Sequence, residues 1–177
     1  AIGWLCASLT GALANTNLPV WPVVGSFVAP PPLEQPLQQP ETPSTPLNII
    51  LVIGDGMGQG EYDVTSLHLH GVTRKLVMQH LPIAGLCETY SANSSVTDSA
   101  AGGTALACGE KTNNQRIGMT ADKKKLKSIA RFAREMGKSV AIITDDALYG
   151  ATPAVFFANQ DSRSKTHEII ADAAECG

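Results

Sequence analysis

An aspartate directly after an apolar run is the first side chain that could do chemistry. Asp55 follows the residues NIILVIG (48–54) and stands between two glycines. Ligands bind outside the carboxyl ends of strands in open α/β sheets, and glycine lets the backbone approach a ligand closely. Neither G-x-G-x-x-G nor the P-loop pattern fits this segment, which disfavours a nucleotide loop. Asp55 is therefore either a cation ligand or the aspartate of a turn.

A pair of Asp98 and Ser99 lies in a second segment, VTDSAAGGTA (96–105), among small residues. A helix that begins near Ser99 would place its hydroxyl among free N–H groups at the positive end of the helix dipole, where an anion is favoured. A serine hydroxyl becomes a good nucleophile only beside a base or a metal. Because no histidine lies nearby in the sequence and no G-x-S-x-G is present, metal activation would be the natural route. The alternative is an ordinary N-capped helix.

Two further polar side chains follow later in the chain. Thr152 precedes Pro153, a pattern that predicts Thr152 as the N-cap and Pro153 as the first residue of a helix. A hydroxyl at a helix start can cap that helix or bind a hard cation. Arg163 is either a solvated charge or a guanidinium that holds phosphate through two parallel hydrogen bonds, which lysine cannot do.

Alternating strand and helix patterns surround these residues. The patterns predict strands at 48–54, 83–90 and 139–144, and helices at 60–70, 98–108, 122–136 and 165–176. This alternation is typical of an α/β domain with a mostly parallel sheet.

Composition excludes several classes of protein. The chain has 177 residues, of which 44% are hydrophobic and 16% charged, and its formal net charge is −3. Nucleic-acid-binding proteins usually carry clustered basic charge, so no nucleic-acid partner is expected. No apolar run reaches the roughly 20 residues that span a bilayer.

The first 46 residues differ from the rest of the chain. Residues 1–14 are apolar and small and end in Ala-Leu-Ala, which resembles the hydrophobic stretch and cleavage site of a partial signal peptide. Residues 15–46 hold nine of the eleven prolines and predict an extended linker. Residues 47–177 are long enough for a packed domain. Because residues 1–14 resemble part of a signal peptide, we expect a periplasmic or secreted protein.

Taken together, these segments resemble the alkaline phosphatase family. Residues 96–105 are similar to its active-site signature, and residues 54–58 are similar to its first metal-binding segment in type and order. Residues 111–114 (KTNN) lie where the family has a similar stretch. Residues 151–154, followed by Arg163, resemble its magnesium-binding and phosphate-binding segment. The resemblance covers roughly Asn48 to Arg163 and implies the N-terminal part of a three-layer α/β/α fold.

The resemblance also implies a role for each residue. Ser99 would be the nucleophile that becomes phosphorylated and would lie against zinc. Asp55 would bridge a zinc ion and a magnesium ion, and Thr152 would bind that magnesium. Arg163 would hold two phosphate oxygens, with Asp98 orienting it. The family hydrolyses phosphate monoesters through a phosphoserine with two Zn²⁺ and one Mg²⁺, and a complete member could be a homodimer.

The chain departs from the family pattern at its magnesium segment. Family members usually carry an acid or a histidine two residues before the threonine, where this chain has Gly150. Asp145 or Asp146 could substitute only if the loop bends differently, so we expect a weakened or altered magnesium site.

A second departure concerns the zinc ligands, most of which the family carries in its second half. The four histidines do not match those positions, and the pair His68 and His70 would point to different faces of a helix. We therefore expect the 177 residues alone to have little turnover. Besides an alkaline phosphatase represented by its N-terminal part, two alternatives stay open. One is a related metal-dependent hydrolase of diesters or sulfates, and the other is a truncated remnant that binds phosphate or a partner without catalysis.

Overall fold

The computed structural model describes residues 48–81 and 83–175. The predicted signal-like segment (1–14) and linker (15–46) lie outside these residues. The chain divides into two compact units, of which one includes the described residues 48–51 and the other 52–175. Among the described residues, none of the helices has the length and apolar composition that crossing a bilayer requires.

Five α-helices and one short 3₁₀ helix form within the described residues. They are α1 (Gln59–His70), the 3₁₀ helix (Val77–His80), α2 (Ser99–Cys108), α3 (Ile129–Glu135), α4 (Ala151–Ala154) and α5 (Thr166–Glu175).

Helices α1 and α2 form close to where the sequence predicts them. The Gly58 N–H at the start of α1 donates to Glu61 Oε2 at 2.8 Å, as in a capping box. Asp98 caps α2, because its Oδ1 accepts the Ala101 N–H at 2.9 Å. Gly109 ends α2 with a φ of 76°, a left-handed conformation that glycine adopts without steric cost.

The predicted helix 122–136 is wrong in its first half, since α3 begins only at Ile129. Residues 120–123 form a turn in which Lys123 has a φ of 68°. The Lys124 N–H donates to Thr120 Oγ1 at 3.0 Å, and this local bond competes with helix formation. Ser128 then starts α3, because its hydroxyl accepts the Arg131 N–H.

Helix α4 also begins differently from the prediction. Gly150 is its N-cap, and Thr152 lies inside the helix as its second residue. The predicted capping role of Thr152 is therefore wrong, and its hydroxyl is free to make the contact described below. Helix α5 agrees with the predicted helix 165–176 over Thr166–Glu175.

None of the three predicted strands pairs with a neighbour in a ladder within the described residues. The bridges that do form are isolated and lie elsewhere, at Ser91–Ser94, Ile117–Gln160 and Met119–Lys125. An extended segment becomes a strand only when its N–H and C=O groups meet a partner. Ile143, in the third predicted segment, is 95% exposed. The predicted three-layer sheet arrangement is thus not confirmed in the part of the chain that is described.

The core of the larger unit lies between α2, α4 and α5. Small residues of α2 let α4 approach closely, and a Cβ at Gly103 would lie 3.2 Å from Val155 Cγ2. This close packing fixes the start of α2 relative to α4. The buried hydrophobic residues of the core are Ala100, Ala107, Ile117, Ala151, Ala154, Val155, Phe157, Ala158 and Ile169.

Candidate active site

The Asp55 carboxylate lies between two hydroxyl groups. Asp55 Oδ1 accepts a hydrogen bond from Ser99 Oγ at 3.1 Å. Asp55 Oδ2 accepts one from Thr152 Oγ1 at 2.6 Å. Three segments that are separated by 44 and 97 positions in the chain therefore meet at one carboxylate.

A tight turn presents Asp55 to these hydroxyls. The Met57 N–H donates to Gly54 O at 3.3 Å, and Gly56 has a φ of 72°. Glycine suits this left-handed conformation because it lacks a Cβ. A Cβ at Gly54 would overlap the Met57 side chain. Both glycines beside Asp55 are thus explained by the turn itself.

Asp98 connects the start of α2 with Arg163. Its Oδ2 accepts the Gln115 N–H at 2.8 Å and lies 3.6 Å from the Arg163 guanidinium Nη1. The Asp98 side chain is only 18% exposed, whereas that of Arg163 is 37% exposed. Ser99, the first residue of α2, follows Asp98 directly. The guanidinium is therefore oriented by a more buried carboxylate and keeps N–H groups accessible.

The segment around Arg163 is also fixed through its backbone and charges. The Arg163 N–H donates to Gln115 O at 2.6 Å. Asp161 forms ion pairs with Lys165 at 2.7 Å and with Lys123 at 3.4 Å. The hydrogen bond from Lys165 is the main reason that the pKa of Asp161 is lowered. Asp161 is thus an ionised carboxylate that has its own cations.

The side chains of Asp55, Ser99 and Thr152 bring carboxylate and hydroxyl oxygens together. This set of donors fits a hard cation. Ca²⁺ and Mg²⁺ take carboxylate, hydroxyl and water oxygens. Zinc sites need three or four ligands from Cys, His, Asp or Glu. No group of three such residues capable of holding a metal occurs within the described ranges. The described residues therefore bring one carboxylate and two hydroxyl groups together and do not complete a zinc site.

Asp146 lies beside the position where the sequence has Gly150. A Cβ at Gly150 would overlap the Asp146 carboxylate. Asp146 Oδ1 also accepts the Ala147 N–H at 2.7 Å. The loop thus bends so that Asp146 takes up the space that a side chain at position 150 would occupy.

The four histidines do not gather at the site. His68 and His70 are exposed on α1, His80 is exposed in the 3₁₀ helix, and His167 is exposed on α5.

Asn114 and Gln115 are the residues at the site to which sequence reasoning gave no role. Asn114 Oδ1 accepts the Asp98 N–H at 3.1 Å, and Gln115 donates to the Asp98 side chain as described above. Adjacent asparagines between two elements indicate a turn in which side chains bind the backbone. The run KTNNQ (111–115) carries that signal, but no pattern in it points to Asp98.

Comparison with known proteins matches the region that contains Asp55, Ser99, Thr152 and Arg163 to a single protein family. The family model described as "Alkaline phosphatase" matches residues 47–177. Alkaline phosphatase 4 of Bacillus subtilis (strain 168) is 37% identical over 128 residues, which are 69% of this chain and 28% of that protein. The chain spans about three tenths of the length of the curated relatives that it matches.

Solved structures agree with this assignment. The cold-active alkaline phosphatase of the psychrophile Shewanella sp. superimposes with a TM-score of 0.63 at 32% identity, covering 69% of this chain and 32% of that one. A mutant of the TAB5 alkaline phosphatase with Mg bound gives a TM-score of 0.51 at 38% identity, covering 51% of this chain and 26% of that one. The fold of the matched region is therefore like that of these proteins.

Proposed function

This chain belongs to the alkaline phosphatase family, and from that membership we propose that it contributes the nucleophile and phosphate-binding part of a phosphate monoester hydrolase. The observation that carries the proposal is the meeting of Ser99, Thr152 and Asp55, with Arg163 held beside Asp98. These are the residues whose types and order resemble the family's active site.

Ser99 is the proposed nucleophile. Its oxygen would release its proton to water and attack the phosphorus atom. The bond from Ser99 Oγ to phosphorus would form, the bond from phosphorus to the ester oxygen would break, and the departing alkoxide would take up a proton from water. Water would then hydrolyse the phosphoserine. The Ser99 hydroxyl donates to Asp55 Oδ1, so its proton is directed toward that carboxylate and a lone pair on Oγ is left for the attack. The N-terminus of α2 adds free N–H groups that favour the anionic phosphate.

Arg163 is the proposed phosphate-binding residue. A guanidinium can bind two phosphate oxygens at once, and phosphoryl transfer depends mainly on positioning and on stabilising charge. Asp98, which is the less exposed of the two side chains, lies with its Oδ2 at 3.6 Å from the guanidinium Nη1. This ion pair supports the proposed role, because it orients the guanidinium while other N–H groups of Arg163 remain for an anion.

Asp55, Ser99 and Thr152 are the proposed metal-binding residues for Zn²⁺ and Mg²⁺. When bound, such ions lower the pKa of a coordinated hydroxyl or water and neutralise developing charge. The TAB5 alkaline phosphatase solved with Mg bound is a mutant, so the magnesium site proposed here rests on the contacts of Asp55 with Ser99 and Thr152. The described residues contain no group of three His, Cys, Asp or Glu side chains that could complete a zinc site.

Export to the periplasm or the medium is proposed from the signal-like residues 1–14 and from the family. The proposed partner is a phosphate monoester substrate, and dimerisation with a second copy is proposed from the family alone. We expect no nucleic-acid partner because the net charge is −3.

Binding of inorganic phosphate tests the role of Arg163. In the presence of Zn²⁺ and Mg²⁺, Arg163→Lys should weaken phosphate binding by about tenfold, because lysine cannot make the paired contact. Arg134→Lys on α3 is the matched control and should leave binding unchanged. Equal affinities for wild type and Arg163→Lys, measured by equilibrium dialysis, would refute the assignment.

A second candidate function is phosphate binding without turnover. It is favoured by the finding that the described residues form no group of three metal ligands. An assay of the 177 residues with Zn²⁺, Mg²⁺ and a chromogenic monoester separates the two. We expect little turnover from these residues alone, and robust metal-dependent turnover would contradict that expectation.

A further inference from the structure

A turn at residues 113–116 contacts the segment that precedes the proposed nucleophile. Asn114 Oδ1 accepts the Asp98 N–H at 3.1 Å, and Asn114 Nδ2 donates to Val96 O at 3.0 Å. One side-chain amide thus binds the backbone on both sides of Thr97. The peptide that leads into α2 is thereby fixed from a residue 16 positions away.

The next residue joins this segment to the proposed phosphate-binding arginine. The Gln115 N–H donates to Asp98 Oδ2 at 2.8 Å, and the Gln115 carbonyl accepts the Arg163 N–H at 2.6 Å. Gln115 has a φ of 77°, which is uncommon for a residue with a side chain. Its left-handed conformation allows the backbone of one residue to contact both Asp98 and Arg163.

Hydrogen bonds on both sides keep this turn in place. The Asn114 N–H donates to Asn93 Oδ1 at 2.9 Å. Ile117 and Gln160 exchange two backbone hydrogen bonds, each 2.9 Å long. The turn is therefore attached to the segment before α2 and to the segment that carries Arg163.

We propose that Asn114 and Gln115 are positioning residues of the phosphate site. Asn114 holds the peptide that starts α2 and so the direction of Ser99, and the Gln115 backbone holds Arg163 relative to Asp98. The inference rests on the proposed function. Neither residue is assigned a contact with the reacting atoms. Asn114 acts through the Asp98 peptide, and Gln115 acts through Asp98 and the Arg163 backbone. In enzymes, a misplacement of about 1 Å caused by a distant substitution can lower the reaction rate by as much as 10²-fold.

Orthovanadate binding measures the positioning without requiring turnover. The 177-residue protein is titrated with orthovanadate in Zn²⁺ and Mg²⁺. Asn114→Ala should weaken binding by about tenfold or more, since both bonds of the amide are lost. Asn113→Ala is the matched control, because the Asn113 side chain makes no hydrogen bond within the described residues, and it should bind as wild type does. Equal affinity of Asn114→Ala and wild type, with both folded, overturns the proposal.

A second pair of variants keeps the test valid if Asn114→Ala does not fold. Gln115→Gly preserves the backbone bonds and suits the positive φ, so binding should be within about twofold of wild type. Gln115→Val disfavours that conformation and should weaken binding by about tenfold. If both variants bind as wild type does, or if Gln115→Gly loses binding, the backbone of Gln115 does not position Arg163.

Amide hydrogen exchange separates failure of this inference from failure of the proposed function. If wild type binds no orthovanadate, the proposed function fails. The exchange rate of the Asp98 amide then shows whether Asn114 still holds the Asp98 peptide in place. In Asn114→Ala that amide should exchange about tenfold faster, while the Ile117 amide, bonded to Gln160 O, keeps its rate. An unchanged Asp98 rate overturns the inference in either case.

Discussion

Asp55 and Thr152 lie 97 positions apart in the sequence, yet the Thr152 hydroxyl donates to Asp55 Oδ2 at 2.6 Å. The same carboxylate accepts the Ser99 hydroxyl through its other oxygen. One aspartate thus joins the start of α2 to α4 through its two carboxylate oxygens.

Removing the Thr152 hydroxyl without changing the shape of the side chain tests whether this hydroxyl takes part in binding Mg²⁺. Thr152→Val keeps the shape of the side chain but cannot donate to Asp55, whereas Thr152→Ser keeps the donor. We expect Mg²⁺ to raise the melting temperature of wild type and Thr152→Ser but not that of Thr152→Val. A Mg²⁺-induced rise of the same size in Thr152→Val would show that Thr152 takes no part in binding the cation.

Substitution of Gly103 tests the close approach of α2 and α4. Gly103→Ala places a Cβ 3.2 Å from Val155 Cγ2 and should destabilise the protein by about 1 kcal/mol, since strain exceeds the gain in helix propensity. In a Val155→Ala background the same change should become neutral or stabilising, because the space is then open. Urea denaturation of the four proteins measures this, and equal effects in both backgrounds would exclude steric contact as the cause.

Much of this arrangement follows from local signals in the sequence. The capping of α2 by Asp98 and its end at Gly109 were predictable, because both depend on neighbouring backbone groups. The partners of Ser99 were not, since the Asp55 contact depends on tertiary packing. Resemblance to a family, rather than periodicity, indicated that Asp55, Ser99 and Thr152 act together.

The sequence-based predictions that were wrong also have physical explanations. Helical spacing of apolar residues predicted a helix over 122–136, but hydrogen bonds within the turn at 120–124 displace its first half. The proline after Thr152 suggested that Thr152 is an N-cap. Gly150 is the N-cap of α4 instead, and the Thr152 hydroxyl donates to Asp55. Predicted strands depend on partners that a local pattern cannot specify, and none pairs in a ladder within the described residues.

The position of Asp146 makes Gly150 sensitive to substitution. Gly150→Ala adds a Cβ that would overlap the Asp146 carboxylate, so we expect a loss of about 1–3 kcal/mol in the free energy of unfolding. Gly60→Ala, in α1, meets open space and should not destabilise. Combining Gly150→Ala with Asp146→Ala should recover only part of the loss, because the added Cβ would still lie 2.9 Å from the Ala147 carbonyl oxygen. If chemical denaturation shows the same loss with and without Asp146→Ala, the Asp146 carboxylate is not the cause and the contact with the Ala147 carbonyl is.

The two described cysteines should differ in reactivity. Burial raises the pKa of the Cys108 thiol to about 11, so at pH 8 only about one molecule in a thousand carries the reactive thiolate there. Cys87 is exposed and should be alkylated by iodoacetamide at least about tenfold faster. Peptide mapping by mass spectrometry gives both rates. Faster labelling of Cys108 would contradict its burial against α3 and the core.

The raised pKa of the Cys108 thiol also predicts how the stability of the folded protein changes in alkaline solution. Because folding raises the pKa of Cys108 above its ordinary value of 9.0 to about 11, the stability that it contributes is present below pH 9 and is lost as pH rises from 9 to 11. Cys108→Ala should therefore flatten the decline of the melting temperature across this interval. An identical decline in wild type and variant would assign the loss to other groups.

The central claim is that Ser99 is the nucleophile of a phosphate site, and a crystal structure of the protein soaked with orthovanadate, Zn²⁺ and Mg²⁺ tests it most directly. The account predicts a bond between vanadium and Ser99 Oγ, with the Arg163 guanidinium against two vanadate oxygens. Vanadate bound elsewhere, or no bond at Ser99, would contradict it.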